Sequence, residues 1–180
     1  MTETAFLDVD GIVGALIVAP GHHVADLGCG SGFFTLALAK AVGPQGMVTA
    51  VDVMAESLES VAGRAQAQGL ANVTTVRADL EVLGGTKLPD ASQDLALIKN
   101  VLFQSTKQDA IIHEAARILK NGGRLVVIDW KKGAGGFGPP DNLRPDEDQV
   151  RRMTEQAGLH PDRQLPVGTA HFGWIFVKQP

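Results

Sequence analysis

The sequence predicts an α/β fold of the doubly wound kind, a mostly parallel sheet covered by helices on both faces and closed by an antiparallel C-terminal hairpin. Three observations lead there. Short continuous runs of Val, Ile, Leu and Ala recur along the first 130 residues, as strands buried on both faces require. Helix-like stretches alternate with them, so successive strands have the crossovers that parallel pairing needs. The last two strand-like runs, "LHPDRQLPV" and "AHFGWIFVK", are joined only by "GT", which suits a hairpin.

Residues 1–22 form an N-terminal lead-in segment with a helix over about 8–18, and the turn "APGHH" delivers the chain to a first strand at 23–27. A helix over 31–42 follows, with Ser31 in the capping position. "MVTAVDV" is a second strand ending near Asp52, and residues 55–69 a helix stopped by "QGL". "NVTTVRAD" ends a third strand near Asp79, and "QDLALIKN" carries a fourth to Asn100. The helix "KQDAIIHEAARILK" is ended by "NGG", and "GRLVVIDW" is the fifth strand. Residues 131–148, "KKGAGGFGPPDNLRPDED", are rich in Gly and Pro and read as a flexible loop over the end of the sheet. A helix over 146–157 precedes the hairpin. With 180 residues and 44% hydrophobic content, residues 1–180 read as a single domain with its own core.

Charge and cysteine content limit the function. The 20 acidic against 16 basic residues leave a net charge of -4, so no global basic field favours nucleic acid as a partner. The N-terminus has no secretory pattern and no apolar run reaches bilayer length, so a cytoplasmic location without a membrane span is expected. A single cysteine, Cys29, allows neither an internal disulfide nor a thiolate metal cluster.

The stretch "VADLGCGSGFFTLALAK", 24–40, is the informative corner. A strand, Gly-x-Gly-x-Gly and a helix start bring backbone N–H groups and a helix N-terminus to the carboxyl edge of the sheet, where glycines permit close approach. A tight corner needing glycine for packing or positive φ gives the same letters. The next strand end supplies Asp52, whose carboxylate suits two ribose hydroxyls, and the third supplies Asp79, which suits a purine's exocyclic amine. Either acid could also be a solvated strand end.

"VADLGCGSGFFT", "VTAVDVMAESL", "VRADLE" and "ARILKNGGRLVVIDW" together resemble the class I S-adenosylmethionine-dependent methyltransferases, in particular the small-molecule branch that includes ubiquinone and menaquinone biosynthesis enzymes. The resemblance runs from about Val24 to Trp130. It implies a Rossmann-like methyltransferase fold of seven strands, S-adenosyl-L-methionine as cofactor and S-adenosyl-L-homocysteine as product. Carried onto this chain, it places Asp26, Gly28, Cys29, Gly30 and Ser31 around the amino acid part of the cofactor. Asp52 falls on the ribose, and Val53 and Met54 against the adenine. Ala78, Asp79 and Leu80 fall on the adenine's polar edge, and Asn100 near the reactive methyl.

Methyl transfer from a sulfonium needs alignment and exclusion of water, with a base only where the acceptor must lose a proton. Phe103, Trp130, Phe137 and His171 are the acceptor-side candidates, with core or lid packing as the other reading for Trp130 and Phe137 and a structural or surface role as the other reading for His171. No catalytic base is assigned. Cys29 reads as a small residue filling the turn. Where catechol-type enzymes hold a divalent ion, this chain has Asn100 and Trp130, with Asp129 adjacent, so no metal is expected. The acceptor is expected to be a small molecule, its cavity open, covered by 131–148, or completed by a second subunit in a homodimer. An NAD(P)-dependent oxidoreductase and a non-catalytic partner of the same fold are the alternatives; the first lacks any tyrosine for a Tyr-x-x-x-Lys pair.

Overall fold

The computed structural model describes residues 7–179. A short helix α1 (Val9–Ala15), capped by the Asp8 carboxylate on the Gly11 amide, leads into β1 (His23–Leu27). Then follow α2 (Phe33–Val42), β2 (Met47–Asp52), α3 (Ala55–Ala67), β3 (Val73–Arg77) and β4 (Gln93–Lys99). The chain ends with α4 (Gln108–Ile118), β5 (Leu119–Trp130), α5 (Glu147–Gln156), β6 (Leu159–Gln164) and β7 (His171–Lys178).

The seven strands form one sheet in the order β3-β2-β1-β4-β5-β7-β6. All pairs are parallel except β5 with β7 and β6 with β7. The alternation of side chains sorts the core into two layers. Ala25, Leu27, Ala96, Ile98 and Val127 pack towards α4 and α5, whereas Val24, Leu95, Leu97, Val126 and Ile128 pack towards α1 and α2. Having run outward from β1 through β2 to β3, the chain returns to place β4 on the other side of β1. That reversal opens a crevice beyond the carboxyl ends of β1 and β4, because the two adjoining connections leave in opposite directions.

Several expected boundaries move. Ser31 is not the cap of α2; Gly32 holds that position with φ 76° and no side-chain bond. The turn continues one residue further because α2 and α3 approach closely, and a Cβ on Gly32 would lie 2.5 Å from Val61 Cγ2. β3 stops at Arg77, so Asp79 stands two residues beyond the strand. "NGG" does not end the preceding helix. It lies inside β5, as an irregularity between the Gln93–Leu119 and Leu95–Arg124 pairs, with Gly122 at φ 77°. The link between β6 and β7 runs over 165–170, longer than "GT" alone. Within 131–148, a 3-10 turn at Asp141–Leu143 and the buried Arg144 give order that the composition does not announce.

Candidate functional site

A cavity of about 910 Å³ occupies the crevice at the carboxyl edge of the sheet. Its walls gather residues from every strand end between β3 and β7. Asp26, Gly28, Cys29, Gly30 and Ser31 line it from the end of β1 and its turn, Asp52, Val53 and Met54 from β2, and Asp79 and Leu80 from beyond β3. Asn100 and Phe103 follow β4, Trp130 ends β5, Phe137 descends from the loop after it, and His171 begins β7. Of the residues singled out in the sequence, Ala78 alone is not on the wall. It is buried behind it, and its amide donates to the Asp52 carbonyl at 3.0 Å.

The glycine corner is shaped by contact and by reach. Gly28, at φ 81°, donates its amide to the Val51 carbonyl, and a Cβ there would lie 2.4 Å from Val101 Cγ2. Gly30, at φ 49°, has nothing within 4 Å of where a Cβ would stand, so its backbone faces open cavity. Asp52 ties this corner to its own strand end. One carboxylate oxygen accepts from the Gly30 amide at 2.9 Å, the other from the Met54 amide at 3.0 Å. The second oxygen keeps a lone pair for a ligand, while the first also faces Cys29 Sγ. Asp79 is exposed and accepts from the Glu81 amide at 2.9 Å. Cys29 is buried with Sγ 4.0 Å from Asp52; burial first, and then the charges of Asp26 and Asp52, push its thiol up to about 12, which leaves it inert as a nucleophile.

Asp26 is only 2% exposed, and its carboxylate accepts from Thr35 Oγ1 at 2.6 Å. Burial pushes it up to about 6, against the pull of that hydrogen bond and of Lys99. Asn100 holds a left-handed backbone, φ 54°, with its side-chain oxygen buried and without a hydrogen-bond partner among the described residues. A strained, unsatisfied residue on a cavity wall marks a place where structure has been held for a ligand. His171 is buried, its ring 4.1 Å from that of Trp130, and its Nε2 likewise lacks a partner. Burial, aided by the charges of Lys99 and Arg144, pushes it down to about 4, so it is neutral at physiological pH.

Two functional groups escaped the sequence reading. Lys99, the last residue of β4, reaches the cavity, and burial lowers its pKa against the pull of Asp26 and Asp129. Its signal was a lysine closing the apolar run "LALIKN". Asp129 is fully buried on the other face of the sheet, accepts from the Leu102 and Trp130 amides, and is pushed by burial up to about 6. It braces the turn after β4 from behind. Glu81 at the rim is paired with Lys107 at 3.3 Å, so among the described lining residues three unpaired acids, Asp26, Asp52 and Asp79, face a single ammonium, Lys99. Such a wall favours a cationic ligand.

Residues 19–158 match a protein family described as "Methyltransferase domain". The chain belongs to that methyltransferase family. It is 31% identical over 162 residues to the ubiquinone/menaquinone biosynthesis C-methyltransferase of Ectopseudomonas mendocina, covering 82% of this chain and 62% of that protein. It is 38% identical over 125 residues to an arsenite methyltransferase of Aquipseudomonas alcaligenes, covering 64% of this chain and 36% of that one. The chain thus spans less than two thirds of the length of these curated relatives. A solved S-adenosylmethionine-dependent methyltransferase from Aquifex aeolicus superposes with a TM-score of 0.85 at 28% identity, over 94% of this chain and 89% of that one. The Rossmann-like methyltransferase fold expected from the sequence is therefore the fold observed, antiparallel hairpin included. The [4+2]-cyclase SpnF shares the fold alone, at a TM-score of 0.79 and 19% identity.

Proposed function

We propose that this chain transfers a methyl group from S-adenosyl-L-methionine to a small-molecule acceptor, releasing S-adenosyl-L-homocysteine. The observation that carries the reading is that the Gly28–Gly30 corner, Asp52 and Asp79 rim one cavity whose acids outnumber its cations. The cofactor would supply an activated methyl on a positively charged sulfur. The residues present fit such a group: Gly30 leaves its backbone open to the cavity, Asp52 retains a free lone pair on the oxygen bonded to Met54, and Asn100 offers a buried oxygen without a partner among the described residues.

In this reading Asp26, Gly28, Cys29, Gly30 and Ser31 hold the amino acid end, Asp52 the ribose, and Val53, Met54, Ala78, Asp79 and Leu80 the adenine. Val53 and Met54 are 50% and 55% exposed, an apolar ledge suited to a flat base. Asn100 borders the reacting end. Trp130, Phe103, Phe137 and His171 form the acceptor side, where their rings keep water out and align a planar molecule. Alignment and exclusion of water are the protein's contribution to in-line displacement. Residues 1–180 act as one methyltransferase domain in the cytoplasm, with a homodimer as one way of closing the cavity. Among the described residues no helix is long and apolar enough to cross a membrane.

Calorimetry tests the reading directly. S-adenosylhomocysteine is expected to bind with a dissociation constant in the micromolar range and NAD not at all. NAD binding without adenosylhomocysteine binding makes the oxidoreductase the right alternative, and binding of neither at millimolar concentration favours a non-catalytic protein of this fold.

A further inference from the structure

We propose that Lys99, which stands between Asp26 and the Trp130–His171 pair, is the acceptor-binding cation of this site and that it selects a planar acceptor carrying an anionic oxygen. The proposal rests on the methyltransferase reading above and adds the chemical class of the acceptor to it.

Register places the four side chains in a row. Lys99 continues the set of Leu95 and Leu97, Asp26 that of Val24, and Trp130 that of Val126 and Ile128, all on the α1 and α2 side of the sheet. His171 pairs with Trp130 across the antiparallel β5–β7 ladder and so shares its face. Reading across adjacent strands β1, β4, β5 and β7, the carboxyl edge presents an acid, an ammonium, an indole and an imidazole.

The Lys99 ammonium donates no hydrogen bond to any described residue, and no described carboxylate lies within 4.0 Å of it. A half-buried lysine with unused donors on a cavity wall has its ammonium available to a ligand oxygen. No neighbouring carboxylate takes the ammonium by hydrogen bond in place of that oxygen. Asp26 is already bonded to Thr35, and Asp129 turns to the opposite face. His171 is neutral, and its ring with Trp130 offers an apolar plane beside the charge. The remaining acids, Asp52, Asp79 and Glu81, stand on the β2 and β3 half of the cavity, away from this row. A planar ring bearing a carboxylate or other acidic oxygen matches an ammonium flanked by an aromatic wall.

The test compares benzoate with its neutral isostere benzamide, titrated into the protein alone and saturated with S-adenosylhomocysteine, using calorimetry or ligand-observed NMR. In the native protein benzoate is expected to bind at least about tenfold more tightly, Lys99→Met to abolish that preference, and Lys99→Arg to keep it. Equal binding of the two probes, binding of neither at millimolar concentration, or a preference that survives Lys99→Met, overturns the proposal. Should Lys99→Met fail to fold, the Lys99 side-chain NMR signal of the native protein decides: it is expected to shift with benzoate and not with benzamide, and the absence of that shift counts against the assignment. A loss of adenosylhomocysteine affinity in Lys99→Met with the probe preference intact would assign Lys99 to the cofactor's carboxylate instead. Failure of adenosylhomocysteine to bind the native protein would sink the methyltransferase reading, while the probe preference measured without it would still judge Lys99.

Discussion

Asp52 accepts two backbone N–H bonds, one from its own strand end and one from the glycine corner of β1, and so performs two tasks with one carboxylate. Replacing it by Ala removes both acceptors and the proposed ribose contact together. Asp52→Ala is expected to weaken adenosylhomocysteine binding by about 1.5 to 3 kcal/mol, the cost of a charge-assisted hydrogen bond, or roughly 10- to 150-fold in dissociation constant. Unchanged affinity by calorimetry would remove Asp52 from the ribose site. At this scale the sequence was legible wherever position decides role: Asp52, Asp79 and Asn100 stand at or just past the ends of apolar runs, and a parallel sheet delivers such positions to one edge. Lys99 and Asp129 were not legible as functional groups. Lys99 is acted on by Asp26 and Asp129 from neighbouring strands, and Asp129 holds the Leu102 amide 27 residues away in sequence, a juxtaposition that no local pattern encodes.

At the scale of elements, the segment after β5 is held by one arginine. Arg144 is 5% exposed and donates to the carbonyls of Lys131, Gly135, Phe137 and Pro139, with its guanidinium 5.8 Å from the Trp130 ring. The segment thus wraps around a buried cation and lays its backbone on the indole; a Cβ on Gly138 would lie 2.6 Å from the ring. Arg144→Met would leave four carbonyls without their donor and is expected to destabilise the fold by about 2 to 3 kcal/mol. Amide exchange at Gly133, Phe137 and Leu143 should accelerate well before that of β5. Unaltered exchange there would mean that the contact with Trp130, and not the arginine, holds the segment. Composition alone reads this stretch as a loop, because Gly and Pro dominate and a single arginine carries no periodic signal. The displaced α2 cap and the "NGG" irregularity in β5 have a related cause. Both are set by close approach to a partner strand or helix, Val61 of α3 and Gln93 of β4, which lies outside the local window.

Over the whole molecule, three buried groups near the ends of β1, β5 and β7 couple stability to pH in opposite senses. Asp26 and Asp129 take up protons at about 6 in the folded protein, against 3.8 as free side chains, so between those limits the folded state holds more protons and stability falls as pH rises. His171 titrates at about 4 instead of 6.5, so the unfolded chain binds the extra proton and stability rises with pH over that window. Glu114, held down at about 2 by hydrogen bonds from Arg117, Thr86 and Gly84, contributes stability that is lost only as pH falls below about 4.5. Between pH 4.5 and 6 two carboxyls therefore oppose one imidazole, and the net effect of these three groups is to weaken the fold towards neutral pH. Asp26→Asn isolates one of these contributions. Its altered bond to Thr35 adds an offset that does not vary with pH, whereas loss of the titration makes the variant gain on the native protein as pH rises from about 4 to 7, by up to about 3 kcal/mol. Urea unfolding of both proteins across that range measures the difference at each pH. A difference that stays constant would show that Asp26 ionises at its ordinary value and that burial does not hold its proton in the folded protein.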